Sequence, residues 1–279
     1  MVIGPWTVDW IDFGTFKLDG GSMFGVVPKT LWNALIPADE QNRITLGLWG
    51  LVLRSADRCV LVDAGAWSGF SEKLRTVYAI EAGPGDRGTL GSLDPGEVTD
   101  VVLTHLHFDH AGGAFLPTAD GPRPTFPNAR YHTSATQLDW ALRPSLRDRA
   151  SYATEMVLAV RDHPRLLPYD GTADLGDGIT LHAIGGHTPG MTLVVARDAH
   201  GALLHTADMT PTSLHVPAPY VMGFDLEPVE TVKARQRWYA EAAYKGWMLF
   251  FQHDPAHPLW TIRKDDKGRY HRDQRIEAR

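Results

Sequence analysis

Cysteine is nearly absent from this chain: Cys59 is the only one, so no internal disulfide can form. A reducing compartment suits such a chain, and the cytoplasm is the expected location. Basic tracts are missing as well. The formal charge of −6 has no offsetting Lys/Arg run, which argues against nucleic acid or an anionic membrane surface as partner. No apolar stretch approaches bilayer-spanning length, and Met1 to Trp10 lacks the positive start of a signal peptide while carrying Asp9. Fixed-period repeats and low-complexity tracts are absent too. What remains is an ordinary globular composition, 43% hydrophobic and 22% charged, with ample material for a core. Cys59 sits in the run Cys59-Val60-Leu61-Val62 and reads as a small buried hydrophobe.

The informative stretch is Thr104-His105-Leu106-His107-Phe108-Asp109-His110-Ala111-Gly112-Gly113. It follows the apolar run Val101-Val102-Leu103, so the spacing predicts a buried strand over 98–103 that delivers the histidines. In an extended segment, side chains two apart point the same way, and His105 and His107 can grip one ion. Asp109 and His110 fall where the chain turns, which aims them at a neighbouring ion. The glycines that follow let backbone pass close to the site.

Three more candidates follow strand-like segments. His187 lies in Gly185-Gly186-His187-Thr188-Pro189-Gly190, Asp208 after Leu203-Leu204-His205-Thr206-Ala207, and His253 after Phe250-Phe251-Gln252. Strand ends are where layered α/β folds build sites. Each alone also fits a cap or turn residue; joined to the first motif they make a seven-ligand set.

Along the rest of the chain, residues 6–18 and 44–54 read as strands, with 44–54 paired to 59–62. Residues 71–80 read as a helix capped by Ser71, and 83–96 as a Gly/Pro-rich loop. A helical insertion over the site is expected at about 121–168, within a single domain spanning 1–279. Strands are expected at 179–184, 192–196, 202–205 and 248–251, and a helix from Pro228 to Lys245 stopped by Gly246. A last strand and a frayed charged tail follow residue 260. Strands alternating with helices mean a layered α/β or α+β fold.

These motifs resemble the metallo-β-lactamase superfamily, whose HxHxDH run, later His, bridging Asp and final His match His105, His107, Asp109, His110, His187, Asp208 and His253. Met23-Phe24-Gly25-Val26-Val27-Pro28-Lys29, Phe126-Pro127-Asn128-Ala129 and Gln252-His253-Asp254 look like its quorum-quenching N-acyl-homoserine lactonases. The likeness runs from about residue 14 to residue 260.

The resemblance implies a four-layer αββα sandwich holding two divalent ions. One would sit on His105, His107 and His187, the other on Asp109, His110 and His253, with Asp208 between them. Two nearby cations need such anionic compensation to coexist. Zinc is the default; iron(II), cobalt and manganese suit the same nitrogen and oxygen donors. The activity implied is lactone-ring opening by a hydroxide bridging the ions, with Asp109 shuttling the proton to the leaving alkoxide. The alternative is an organophosphate triesterase or arylesterase of the same fold, and from another class a non-catalytic binding protein, which would lack ligands. The partner is then a small lactone or ester, with a homodimer as one allowed assembly.

One departure concerns the substrate. Some lactonases of this group carry a tyrosine three residues after the bridging Asp, and here that position is Pro211. His215 and Tyr220 are the nearest polar replacements in sequence, though a surface or packed loop position is the favoured reading of each. Met23, Phe24 and Trp32 could line an acyl pocket as a flap over the site, or simply pack. Asp63, after Val60-Leu61-Val62, could hold a ligating histidine's second nitrogen, or cap a turn.

Overall fold

The computed structural model describes residues 1–83 and 93–277; most of the expected 83–96 loop lies outside the described residues. The first half of the chain supplies β1 (Val2–Ile3), β2 (Trp6–Asp19), β3 (Arg43–Arg54), β4 (Cys59–Val62) and β5 (Glu81–Ala82). After them come β6 (Asp100–Val102), β7 (Phe115–Leu116), β8 (Arg123–Pro124), β9 (Arg130–Ser134) and β10 (Leu166–Tyr169). One sheet runs in the order β1-β2-β3-β4-β6-β9-β10, with β5 added to β2. Its first four strands are antiparallel neighbours, whereas β4, β6, β9 and β10 run parallel.

The second half makes β11 (Thr172–Gly176), β12 (Ile179–Ile184), β13 (Met191–Arg197), β14 (Ala202–His205), β15 (Met248–Phe250), β16 (Leu259–Lys264) and β17 (Tyr270–Arg275). They form a second sheet in that sequential order. Helices α1 (Gly20–Phe24), α2 (Lys29–Trp32), α3 (Glu72–Tyr78), α4 (Ala135–Leu142) and α5 (Thr154–Asp162) belong to the first half, and α6 (Pro228–Lys245) to the second.

Three apolar layers hold this together. Val8, Leu51, Leu53, Val60 and Val62 of the first sheet meet Leu181, Val194, Leu203 and Phe250 of the second. On the outer face of the first sheet, Phe16, Leu61, Val101 and Tyr131 pack with Met156, Val157 and Val160 of α5. Outside the second sheet, Leu193, Leu204 and Leu249 meet Trp238, Tyr239 and Ala242 of α6. Each such side chain, fully buried, contributes about 1.5–3 kcal/mol relative to exposure. The result is the expected αββα sandwich.

Helix α6 illustrates the local logic. Pro228 occupies its first turn, Gly246 ends it in the left-handed region at φ +64, and Thr231, Arg235, Trp238, Tyr239 and Ala242 form its buried stripe. No helix among the described residues is long and apolar enough to cross a membrane.

Several expectations need correcting. The strand before the histidines covers only Asp100–Val102, so His105 and His107 stand in the loop beyond it. The 121–168 stretch is more than a helical insertion: β9 and β10 inside it complete the first sheet, and α4 and α5 pack on that sheet's outer face. The tail is not frayed as far as residue 275. Residues 270–275 pair with β16, and their charges cover an exposed sheet edge that would otherwise invite another strand.

Candidate metal centre

Strand β6 carries the chain to one end of the sandwich, where four loops converge. The loop after β6 brings His105, His107, Asp109 and His110; the loop between β12 and β13 brings His187. The loop after β14 brings Asp208, and the one after β15 brings His253. All seven are buried, Asp109 being the most open at 7%. Close backbone approach makes this possible: a Cβ at Gly112 would lie 1.9 Å from the Trp67 nitrogen, and one at Gly113 2.0 Å from the Ala64 oxygen.

The donors face one another. His107 Nδ1 lies 3.1 Å from His105 Nε2 and 3.2 Å from His187 Nε2. Beside them, His110 Nε2 and His253 Nε2 are 2.9 Å apart, and Asp109 Oδ2 lies 3.5 Å from His253 Nε2. Asp208 stands between the two groups: its Oδ2 is 3.4 Å from His187 Nε2, while its Oδ1 is 3.4 Å from both His110 Nε2 and His253 Nε2.

A tetrahedral ion with bonds of about 2.0–2.1 Å sets its donors about 3.3 Å apart, which is the spacing found. Imidazole nitrogens placed this close repel unless something positive lies between them. Asp208 Oδ1 is buried without a hydrogen-bond partner, as a carboxylate oxygen kept for a cation would be. His105, His107 and His187, and Asp109, His110 and His253, each form a group able to hold one ion. The residues fit two divalent metals.

The far nitrogens of His105, His110, His187 and His253 are fixed by partners that set the tautomers, while that of His107, Nε2, is buried without one. His110 Nδ1 donates to Asp63 Oδ2 at 2.9 Å. His105 Nδ1 donates to Thr104 Oγ1 at 3.1 Å, and that hydroxyl donates to the same Asp63 oxygen at 2.7 Å. Asp63 Oδ1 accepts the Thr104 backbone N–H at 2.8 Å, with Asp63 itself in the left-handed region at φ +59. His187 Nδ1 donates to Asp225 Oδ1 at 2.9 Å, and His253 Nδ1 to the Gly47 carbonyl at 2.8 Å. Asp225 escaped the sequence reading, because a lone acid in the loop after Met222-Gly223 has no spacing that marks it.

Electrostatics follow from burial and neighbours. Burial and the surrounding imidazoles push His105 and His107 well below the usual histidine value. Burial acts the same way on His110, but Asp208, Asp109 and Asp63 outweigh it and hold its imidazolium well above that value. His187 is likewise raised against burial, by Asp208 and Asp225. Burial opposes the charge on Asp208, yet the imidazoles of His110, His253 and His187 keep its carboxyl well below the carboxylate range.

A profile of the metallo-beta-lactamase superfamily matches residues 47–253, the span that carries all seven side chains. The chain belongs to that superfamily. Within the superfamily it is similar to the N-acyl homoserine lactonase AttM of Azorhizobium caulinodans, with 26% identity over 215 residues, 74% of this chain and 76% of the relative. The AttM lactonase of Rhizobium johnstonii is 28% identical over 72% of this chain and 74% of its own length. A probable metal-dependent hydrolase from Staphylococcus aureus superposes with a TM-score of 0.86 at 24% identity, covering 99% of this chain and 100% of that one. AidC, a dizinc quorum-quenching lactonase, gives 0.80 at 18% identity, covering 99% and 97%. Superfamily and site together make this chain a metal-dependent hydrolase.

A cavity of about 350 Å³ opens on the centre, reaching His107, Asp109, His187, Asp208 and His253. Its walls include Leu18, Met23, Tyr78, Phe108, Met222 and Phe224. Met23 is the one side chain among the sequence-nominated substrate contacts that reaches it. Phe24 is fully buried, stacked between Trp32 at 5.5 Å and His215 at 4.4 Å, with Tyr220 edge-on at 5.9 Å. That region is therefore packed core and not a loose flap.

His215 donates from Nε2 to the Met23 carbonyl at 2.9 Å and accepts at Nδ1 from Thr212 at 2.8 Å. Burial, then Arg235, lowers it to about 3, which leaves it neutral. Pro211 uses its carbonyl to accept the His253 backbone N–H at 2.9 Å. Tyr78, Phe108 and Met222 were missed as wall residues, since nothing in their spacing distinguishes a wall from ordinary core.

Proposed function

We propose that this hydrolase opens lactone rings of N-acyl-homoserine lactones at a two-zinc centre. The observation that carries the reading is Asp208, with one carboxylate oxygen toward each group of imidazoles and Oδ1 buried without a partner. Support for the substrate class comes from the AttM lactonases, which span most of the chain. When bound, two divalent ions supply a water acidified to near-neutral pKa and Lewis-acid polarisation of a carbonyl.

The chain's own residues then do the rest. His105, His107 and His187 would hold one ion, and Asp109, His110 and His253 the other, with Asp208 touching both. Asp63 and Asp225 keep the ring orientations fixed, so little reorganisation is needed as charge develops. Asp109 borders the cavity and has a carboxylate oxygen able to carry a proton to the leaving ring oxygen. Tyr78 also lines the cavity, its hydroxyl has no hydrogen-bond partner among the described residues, and burial, then Asp109, raise it above the usual tyrosine value. It takes the donor role that Pro211 cannot fill, toward the substrate carbonyl. Apolar walls from Leu18, Met23, Phe108 and Phe224 exclude water and receive the acyl chain.

The test is a pH-stat assay of the zinc-loaded protein on hexanoyl-homoserine lactone and, in parallel, on an aryl phosphotriester. Lactone opening with kcat/KM at least about a hundredfold above the phosphotriester value is expected. A flat lactone rate with brisk phosphotriester turnover would replace this reading with the organophosphate one.

A further inference from the structure

Of the three histidines grouped around one ion position, two have their far nitrogens held, His105 by Thr104 and His187 by Asp225. His107 is the exception. Its Nδ1 faces the other donors, so a bound ion leaves the ring proton on Nε2, and Nε2 is buried with no hydrogen-bond partner among the described residues. A ligating histidine ordinarily gives that N–H to an acceptor that fixes the ring. What borders the His107 ring instead is Tyr152, two residues before α5, edge to face with it at 4.7 Å between centroids and 69° between planes. The other rings recorded against His107 belong to ligands, His105 and His187.

Tyr152 is itself anchored. It is buried, and its hydroxyl lies 3.1 Å from Thr188 Oγ1 and 3.4 Å from Gln137 Oε1. Gln137, in the first turn of α4, is fully buried and donates from Nε2 to Thr188 Oγ1 at 3.2 Å and to the Pro189 carbonyl at 2.8 Å. Its Oε1 also accepts the Leu106 backbone N–H at 3.4 Å. The three polar groups close a ring in which Gln137 donates to Thr188, Thr188 to Tyr152 and Tyr152 to Gln137, so each donor has an acceptor. Leu106 precedes His107 and Thr188 follows His187, so this ring ties together the two loops that carry those ligands. We infer that Tyr152, fixed by Gln137 and Thr188, is the positioning residue for His107. Its ring packing sets the orientation that hydrogen bonds set for His105 and His187. The inference rests on the two-ion reading of the site and stands whichever ester or lactone is cleaved.

The experiment compares zinc occupancy at the two positions, read from anomalous peak heights, in crystals of the parent, Tyr152→Leu, Tyr152→Phe and Gln137→Met equilibrated with the same limiting zinc. In Tyr152→Leu the peak among His105, His107 and His187 should fall about tenfold relative to the peak among Asp109, His110 and His253. Tyr152→Phe keeps the ring and should hold the parent ratio to within about threefold. Gln137→Met keeps the side-chain length but unties the tyrosine, and its ratio should lie between those two. An unchanged ratio in every variant that folds overturns the assignment. A fall shared equally by both peaks overturns it too, since general loosening of the site would produce that. A parent with a single peak would instead overturn the two-ion reading, and the assignment with it.

Discussion

The two ends of β6 each carry a buried cluster of acids and histidine, and they differ in one respect. At its start, Asp100 Oδ1 accepts from Arg130 at 2.7 Å and from His132 at 2.9 Å, while its Oδ2 accepts from Thr99 at 2.9 Å and Arg58 at 3.2 Å. Every acceptor has donors, and the guanidinium charges balance the carboxylate. Beyond its end, five imidazoles and two carboxylates gather without any Lys or Arg among the ligating atoms. There, nitrogen faces nitrogen and Asp208 Oδ1 is buried with no hydrogen-bond partner. The first cluster leaves neither oxygen of Asp100 without a protein donor. The second is complete only with cations. Burial and residue type do not separate structural from functional polar clusters here; the balance of donors and acceptors does.

The sharpest way to break this contrast is Asp208→Asn, which keeps shape but removes charge and one acceptor. Turnover should fall on the order of a thousandfold or more with metal content down, measured by steady-state rates and elemental analysis. Asp100→Ala should show the opposite pattern. It should cost about 3 kcal/mol in denaturant unfolding, because Arg58 and Arg130 lose their carboxylate, with metal content unchanged. Asp100 is held well below the carboxylate range despite burial, by His132, Arg130 and Thr99. Its contribution is therefore present above the unfolded-state value and lost as acidification passes the folded one.

Asp225→Ala should weaken metal binding about 10- to 100-fold in competition with a chelator, since His187 loses the partner that fixes its ring. Tyr78→Phe should lower kcat about tenfold with metal content and KM near the parent values. A KM change alone would reduce Tyr78 to a wall.

A smaller effect sharpens the contrast further. Against the effect of burial, Asp208, Asp109 and Asp63 raise His110, and Asp208 and Asp225 raise His187, above the usual histidine value, so protons compete with the ions for these nitrogens. Zinc uptake should release protons and weaken as pH falls through the neutral range, visible as a buffer-dependent calorimetric heat.

The metal motif was legible in sequence because the chemistry packs four donors into six residues, and because His187, Asp208 and His253 each follow an apolar strand. Asp63 was legible for the same reason. Asp225 was not, since its partner is 38 residues away and only the fold joins them. Strand β9 was hidden by its polar composition, Arg130 to Ser134, after a proline-rich run. Strand β17 was hidden by charges that protect an edge and look like a solvated tail. Phe24 and Trp32 fitted either a flap or a packed loop, because the neighbouring glycines and prolines mark a loop and sequence does not say whether a loop is packed.

The most direct test of the central claim is anomalous diffraction at the zinc edge from crystals of the zinc-loaded protein. Two peaks per chain are expected, one among His105, His107 and His187, one among Asp109, His110 and His253, with Asp208 contacting both. A single peak, or none at these side chains, would contradict the account.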